Sequence, residues 1–369
     1  MPRKARPIGA TLPKANRPDS TGLAFCFHSA YSEDMLVITT GISGCGRKGY
    51  LDDFAALAKK NDKNVKIYHV GEMMFEHAKK IGINISRENV LNANPNVINS
   101  IRSTIFEAIL SELPQVLKKH DAVFINIHSF FFWKKIFMRV YDSAYLSELN
   151  PDMFVTFIDN ATVIRRKLNT RDQWKPEKLS NDEILLWQNV EVEVTASWAE
   201  FHKKPFFAIA ALQSQTSFYR LLFNPEVEPI YVSMPMTHLS KDGQTKVNSF
   251  VREIEKYFAV FDPRTIEIAV GLAKNKIDKT SYNQTVLRDL YWIIKQSKKI
   301  ITYFPELVSS PGAINELREG YETNKDVWLI YPQKTASPFL TYFCNKFFQG
   351  EAEFYKFLRK HYTPAPKLN

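Results

Sequence analysis

Two series of short β-rich runs alternate with helix-periodic stretches along this chain, and that alternation leaves few folds open. The first series holds "MLVITT" from Met35, "VKIYHV", "AVFINIH" and "MFVTFID". Between its runs lie stretches such as "NVINSIRSTIFEAILSELPQVLKK", which puts Ile98, Ile101, Ile105 and Ile109 on one helical face. The second series begins at Ile230 with "PIYVSM" and continues through "AVFDP", "KIITYF" and "DVWLIYP". Strands joined by helical crossovers pair in parallel, so each series predicts an α/β parallel sheet covered by helices. Pro225 and Pro229 interrupt the pattern between the two. The expected organisation is a basic tail over 1–34, one domain over 35–222 and a second over 229–369.

At 369 residues two domains are the better expectation, and 45% apolar residues suffice for a core in each. Residues 1–20 carry four prolines and five basic residues with little to bury, the composition of a disordered basic tail. The net charge of +10 favours anionic partners, and the tail offers a contact for nucleic acid. Cys26, Cys45 and Cys344 form no C-x-x-C pair, which argues against zinc and suits a reducing cytoplasm. The run "AVFINIHSFFFW" is broken by Asn126 and His128; it reads as a buried strand, and no membrane span is expected. His69, His128 and His238 have no ligand-like spacing and read as structural.

The first strand runs into "GISGCGRKGY" and then the helical "LDDFAALAKK". A strand, a glycine-rich turn and a helix is the setting of a phosphate-binding P-loop, in which backbone N–H groups wrap phosphates, a lysine bridges them and a hydroxyl holds Mg²⁺. Gly41, Gly44 and Gly46 supply the backbone freedom, but Arg47 stands at the lysine position and Lys48 at the hydroxyl position. A guanidinium still forks two phosphate oxygens. Phosphoryl transfer, however, relies on the metal to neutralise charge, so these exchanges argue for phosphate binding without much catalysis and against Mg²⁺.

The order of "TTGISGCG", "GEMMFEHAKKIGI", "FINIHS", "LSELNPDMFVTF", "VIRRKL" and "TRD" resembles archaeal-type adenylate kinases and related nucleoside monophosphate kinases, over roughly residues 35–215. The resemblance implies a P-loop kinase-like fold that binds ATP or another nucleotide, with Arg165, Arg166 and Arg171 clamping phosphates. Asn126 stands where that family has an aspartate near the metal, and "WKKIFMRVYDSAYL" replaces the glycine- and proline-bearing segment expected before "ELNPD".

In the second half, "IYVSMPM", "VLRDLYWIIKQSKKIITYF" and "SSPGAINELREGYETNKDVWLIYP" resemble the nucleoside 2-deoxyribosyltransferase superfamily, over roughly residues 229–360. The resemblance implies a flavodoxin-like domain and a homo-oligomer that needs no cofactor in this half. It matches Glu316 to the nucleophile at the anomeric carbon, Asp289 to the acid that handles the base, and Tyr231 to the tyrosine that orients the nucleophile. Ser310, with Gly312 beside it, falls where monophosphate-hydrolysing members contact the 5′-phosphate. The chemistry is coherent, because an oxocarbenium-like state needs one carboxylate to trap it and a second carboxyl group to protonate the base.

The reading is therefore a nucleotide-metabolism protein acting on nucleosides or nucleotides, cleaving or exchanging an N-glycosidic bond in its second half. A bifunctional kinase and transferase, or a nucleotide-sensing or nucleic-acid-associated binding protein without turnover, are the alternatives. Deleting residues 1–20 is expected to leave the melting temperature unchanged, and a marked drop would make the tail part of the fold.

Overall fold

Both alternating series close into five-stranded sheets whose strands all pair in parallel. The computed structural model describes residues 35–236, 238–265 and 288–369, so the tail read over 1–34 lies outside the described residues. The chain enters through β1 (Met35–Thr40), α1 (Arg47–Lys60), β2 (Val65–His69), α2 (Val70–Lys80), α3 (Pro95–Leu117) and β3 (Ala122–Asn126). A hairpin of β4 (Phe130–Trp133) and β5 (Ile136–Arg139) leads to α4 (Ser143–Leu149) and β6 (Met153–Ile158). Then come α5 (Ala161–Leu168), α6 (Asn181–His202), β7 (Phe206–Ala210) and α7 (Gln215–Phe223). The first sheet is ordered β2-β3-β1-β6-β7. Every residue of the central β1 is buried, as a strand covered on both faces requires. Leu36, Ile38, Val123 and Ile125 join one core with residues of α2 and α3. On the α1 side, Phe54 packs against Phe124 and Phe218, with ring centroids 5.7 and 4.8 Å away.

The second sheet is built from β8 (Pro229–Ser233), α8 (Lys241–Ile254), β9 (Ala259–Phe261), β10 (Lys299–Tyr303), α9 (Pro311–Glu322), β11 (Asp326–Tyr331), α10 (Pro338–Thr341), β12 (Lys346–Gln349) and α11 (Gly350–His361). Its order, β12-β11-β10-β8-β9, reads 2-1-3-4-5 from the other edge, a doubly wound arrangement. A π-helical turn, Arg288–Ile293, precedes β10.

The edge strands β7 and β9 carry backbone groups that a neighbouring strand would otherwise satisfy. Side chains from the opposite half do so instead. The Gln296 amide accepts from Ala208 N at 2.8 Å and donates to Ala208 O at 3.0 Å, mimicking one rung of a ladder. In return, α7 supplies Ser217 Oγ, which accepts from Val260 N at 3.1 Å, and Arg220, which donates to Phe258 O at 3.0 Å. Gln213 Nε2, just before α7, donates to Val260 O at 2.5 Å.

One sequence expectation is corrected. "AVFINIHSFFFW" is not one buried strand: β3 ends at Asn126, and Phe130–Trp133 folds back antiparallel onto Ile136–Arg139. The chain turns at Ile127–Ser129 because Ser129 and Phe130 donate their N–H groups to a buried carboxylate, Glu191, instead of to a strand. Lys134 and Lys135, with φ of 50° and 63°, make the hairpin turn.

Because Gln296 satisfies both backbone groups of Ala208, Gln296→Leu is expected to lower stability by about 1–3 kcal/mol for the groups left unpaired. Calorimetry should show that loss in one transition shared by both sheets. An unchanged melting temperature would show that the edge contact contributes nothing.

Candidate nucleotide-binding site

The glycine-rich loop sits where β1 ends and α1 begins, at the carboxyl edge of the sheet. Gly44 and Gly46 take φ of 87° and 86°, the left-handed region that side-chain-bearing residues avoid, so the loop needs glycine at both. Gly46 is the N-cap of α1, and the first turn of that helix holds no acidic residue. The amino end of the helix and its dipole are therefore suited to an anion.

The loop is anchored from beneath. Glu191 of α6, 0% exposed, accepts from Gly41 N at 3.0 Å, Ser129 N at 2.9 Å, Phe130 N at 3.0 Å and Ser129 Oγ at 2.5 Å. Neighbouring residues of α6 continue the work. Gln188 accepts from Asp159 N at 2.9 Å, and Trp187 Nε1 donates to Phe130 O at 2.9 Å. Thr195 Oγ1 lies 2.7 Å from Thr40 Oγ1.

Arg47 is engaged at the base of the cavity that it lines. Its guanidinium is buried, donates to Ile127 O and lies 3.4 Å from His128 Nε2. Burial lowers its pKa below arginine's ordinary value, with Cys45 and Glu191 acting the other way. Arg47, which the sequence expects to fork two phosphate oxygens, thus lines the cavity with part of its guanidinium engaged by the interior. Burial, and then the charge of Arg47, push His128 well below its ordinary pKa, so its imidazole is neutral.

Lys48 turns the other way. Its ammonium is 2.7 Å from Asp52 and 3.8 Å from Glu72. Asp52 also contacts His69 at 3.0 Å, and the other ring nitrogen of His69 lies 2.7 Å from Asn126 Nδ2. Burial raises the Asp52 pKa, but hydrogen bonds from Lys48 and His69 outweigh it and hold the carboxyl below its ordinary value. This chain of contacts occupies the ground on which a kinase-type Mg²⁺ would be organised. An ammonium stands in place of a hydroxyl, a carboxamide in place of a carboxylate, and the nearest acid is already paired. No cluster of three potential metal ligands occurs among the described residues. The residues present do not fit the metal.

Above the loop opens a cavity of about 390 Å³. Met74, Phe75, Phe106, Phe131, Tyr141 and Trp174 form apolar walls, while Arg87, Arg102, Lys167 and Arg171 bring charge to it. Arg102 is used internally, donating to Val140 O and Asn99 Oδ1 at 2.9 and 2.7 Å. Arg87 pairs with Glu72 at 3.0 Å. Arg171 is different, because no described residue forms an ion pair or hydrogen bond with its guanidinium. Burial, and then the nearby Arg87, lower its pKa, with Glu88 and Cys45 acting the other way. Of the three arginines expected to clamp phosphate, only Arg171 lines the cavity; Arg165 is half-buried and Arg166 exposed, both on the last turn of α5. Lys167, not singled out by the sequence, does line it. The replaced segment "WKKIFMRVYDSAYL" becomes the hairpin and brings Val140 and Tyr141 to the wall.

The candidate residues of the second sheet are less concentrated. Tyr231 lies in β8 with 0% exposure, inside the core. Ser310 is the N-cap of α9 and accepts from Ala313 N at 3.3 Å; Gly312 is exposed in the first turn, and Glu316 is half-buried one turn later. The backbone of Asp289 falls in the π-helical turn, and its side chain lies outside the described residues. Across the ends of β8 and β10, Glu306 accepts from Ser240 N and Oγ at 2.6 and 2.7 Å.

No protein-family model matches the chain. Over 134 residues it is 26% identical to an adenylate kinase of Methanococcus vannielii, a match covering 36% of this chain and 67% of that protein. Among solved structures, it is similar to an apo GTPase from Pyrococcus abyssi, with 11% identity and a TM-score of 0.31 over 74% of this chain and 91% of that one. A second is a deoxyadenosine kinase from M. mycoides with dCMP and dCDP bound, at 13% identity and a TM-score of 0.29 over 52% of this chain and 97% of that one. Scores this low carry no argument. The sequence match supports a nucleotide-kinase relationship at low identity, and none of these relatives shows a deoxyribosyltransferase in the second half.

Glu191→Leu is expected to cost about 3 kcal/mol or more, since several charge-assisted hydrogen bonds of about 1.5–3 kcal/mol each are lost. Urea unfolding measures it. A cost below about 1 kcal/mol would mean that the loop is held some other way.

Proposed function

We propose that the first half of the chain binds a nucleotide in this cavity, phosphates on the Gly41–Lys48 loop, and transfers phosphate slowly or not at all. The observation that carries the reading is Arg171, a half-buried guanidinium that lines the cavity beside the glycine loop and that no described carboxylate pairs with directly, Glu88 acting on it only through space. A partly buried cation without a direct ion pair carries a desolvation cost, and an anionic ligand offsets that cost. The aromatic walls suit a base and sugar, so ATP or another nucleotide is the ligand class. Weak turnover follows from the residues at 47, 48 and 126, which do not organise Mg²⁺, on which phosphoryl transfer depends.

A second reading concerns the second half. The 2-1-3-4-5 order is that of flavodoxin-like sheets, which bind ligands where strand order reverses, here between β8 and β10. Glu316 stands on the helix that follows β10. Together with the sequence resemblance, this supports cleavage or exchange of an N-glycosidic bond, with Glu316 attacking the anomeric carbon and Asp289 protonating the departing base. Ser310 would donate its hydroxyl proton to a 5′-phosphate while its oxygen caps the helix. Full burial of Tyr231 supports a core role at least as well as an orienting one.

Incubation with nucleosides, monophosphates and ATP, followed by chromatography, separates these readings. The expected result is nucleotide binding that weakens with salt, without ADP formation at the roughly 1–100 per second of ordinary kinases. Such ADP formation would contradict the first reading and select a bifunctional enzyme. Base release is expected to vanish in Glu316→Gln, which keeps shape but loses the nucleophile. Undiminished release would sink the second reading. Binding with no turnover by either half would select a nucleotide sensor.

A further inference from the structure

The loop has lost the lysine that bridges phosphates, and neither residue at the altered positions replaces it. Arg47 donates to Ile127 O, and Lys48 lies between two carboxylates, Asp52 at 2.7 Å and Glu72 at 3.8 Å, whereas Lys167 pairs with one. A third cation stands beside the loop. Lys167, on the last turn of α5, places its Nζ 3.5 Å from the point where a Cβ on Gly46 would stand. No other side chain approaches that point except Ala211, at 3.6 Å. The ammonium is therefore at the mouth of the loop, next to the N-terminus of α1.

Its orientation is held from below. Asp159, 4% exposed at the end of β6, pairs with Lys167 Nζ at 3.0 Å, and the Asp159 N–H is in turn held by Gln188 of α6. The ammonium has three donors, so one bond to Asp159 leaves capacity for an incoming oxygen. The Lys167 side chain is 41% exposed, open to the cavity it lines, and Arg171 lines the same cavity.

We propose that Lys167 is the phosphate-bridging cation of this site, a lysine delivered from α5 in place of the one missing from the loop, with Asp159 as its positioning residue. The inference rests on the nucleotide-binding reading above and adds to it the residue that makes direct contact with phosphate. It also accounts for retained binding beside weakened transfer: a cation anchored to a buried aspartate holds ground-state phosphate, while nothing present organises the metal.

The test is calorimetric titration of the full chain with ADP and with inorganic pyrophosphate at low salt. Lys167→Met is expected to weaken both by on the order of 10- to 100-fold, the worth of a hydrogen bond to a charged group, whereas Lys167→Arg retains most of the affinity. Because Lys167→Met strands Asp159, the double variant Lys167→Met/Asp159→Asn keeps the test valid should the single variant fold poorly; the same loss is expected. Lysine acylation of the unmodified protein, read by mass spectrometry, gives a readout free of mutation: ADP is expected to protect Lys167. Wild-type binding together with full affinity in the Lys167→Met variants, or no protection of Lys167, would overturn the assignment and leave the nucleotide-binding reading standing. Failure of the wild-type protein to bind either probe would overturn both.

Discussion

One buried carboxylate determines the shape of the candidate site. Glu191 accepts from the first residue of the glycine loop and from both residues that open the hairpin, across separations of 150, 62 and 61 positions. A charge at 0% exposure is tolerable only when its oxygens are saturated, and here four donors converge on it. Because Trp187, Gln188 and Thr195 extend the contacts along the same helix, α6 acts as a spine. It sets the loop, the end of β6 and the hairpin in a common frame. Preorganisation of this kind costs stability elsewhere and is worth having where an anion must be held without rearrangement.

Within that frame the exchange at position 47 has a specific consequence. Guanidinium is larger and has more donors than ammonium, and the backbone carbonyl of Ile127 lies within its reach. Donating to Ile127 O, Arg47 becomes part of the floor and adds its charge to the burial that lowers the His128 pKa. Lys48 is drawn outward by Asp52, which closes a line of contacts through His69 to Asn126. A glycine loop at the head of α1 thus stands beside a lysine paired with Asp52 and a carboxamide at position 126. The same division recurs between the two sheets, where side chains of each half complete the open edge of the other. The halves are coupled mechanically through α7, which packs on α1 through Phe218 and on β9 through Ser217.

Much of the fold was legible because strand–helix alternation is a local signal: β1, β2, β3 and β6, and β8 to β11, all lie on the β-rich runs. The hairpin was not, since "FFFW" looks like a buried strand until a distant carboxylate turns the chain at Ser129. The loop and its glycines were legible from spacing alone. The direction of Arg47 was not, because it depends on a carbonyl 80 positions away. Lys167 lies within "VIRRKL", where three consecutive cations, Arg165, Arg166 and Lys167, look alike in sequence. Helical geometry would have helped: with Ile164 and Leu168 buried, the flanking position 167 faces the loop while Arg166 faces solvent. Glu191 gave no signal that set it apart from the other acids of its helix, Glu193 and Glu200 among them.

A crystal structure of the protein with ADP bound tests the central claim most directly. The account predicts the diphosphate on the N–H groups of Gly44 to Lys48, with Lys167 and Arg171 within hydrogen-bonding distance of its oxygens. Arg47 is then still donating to Ile127, and Lys48 is still on Asp52. Arg47 swung out onto the phosphates, or ADP seated away from the loop, would contradict it.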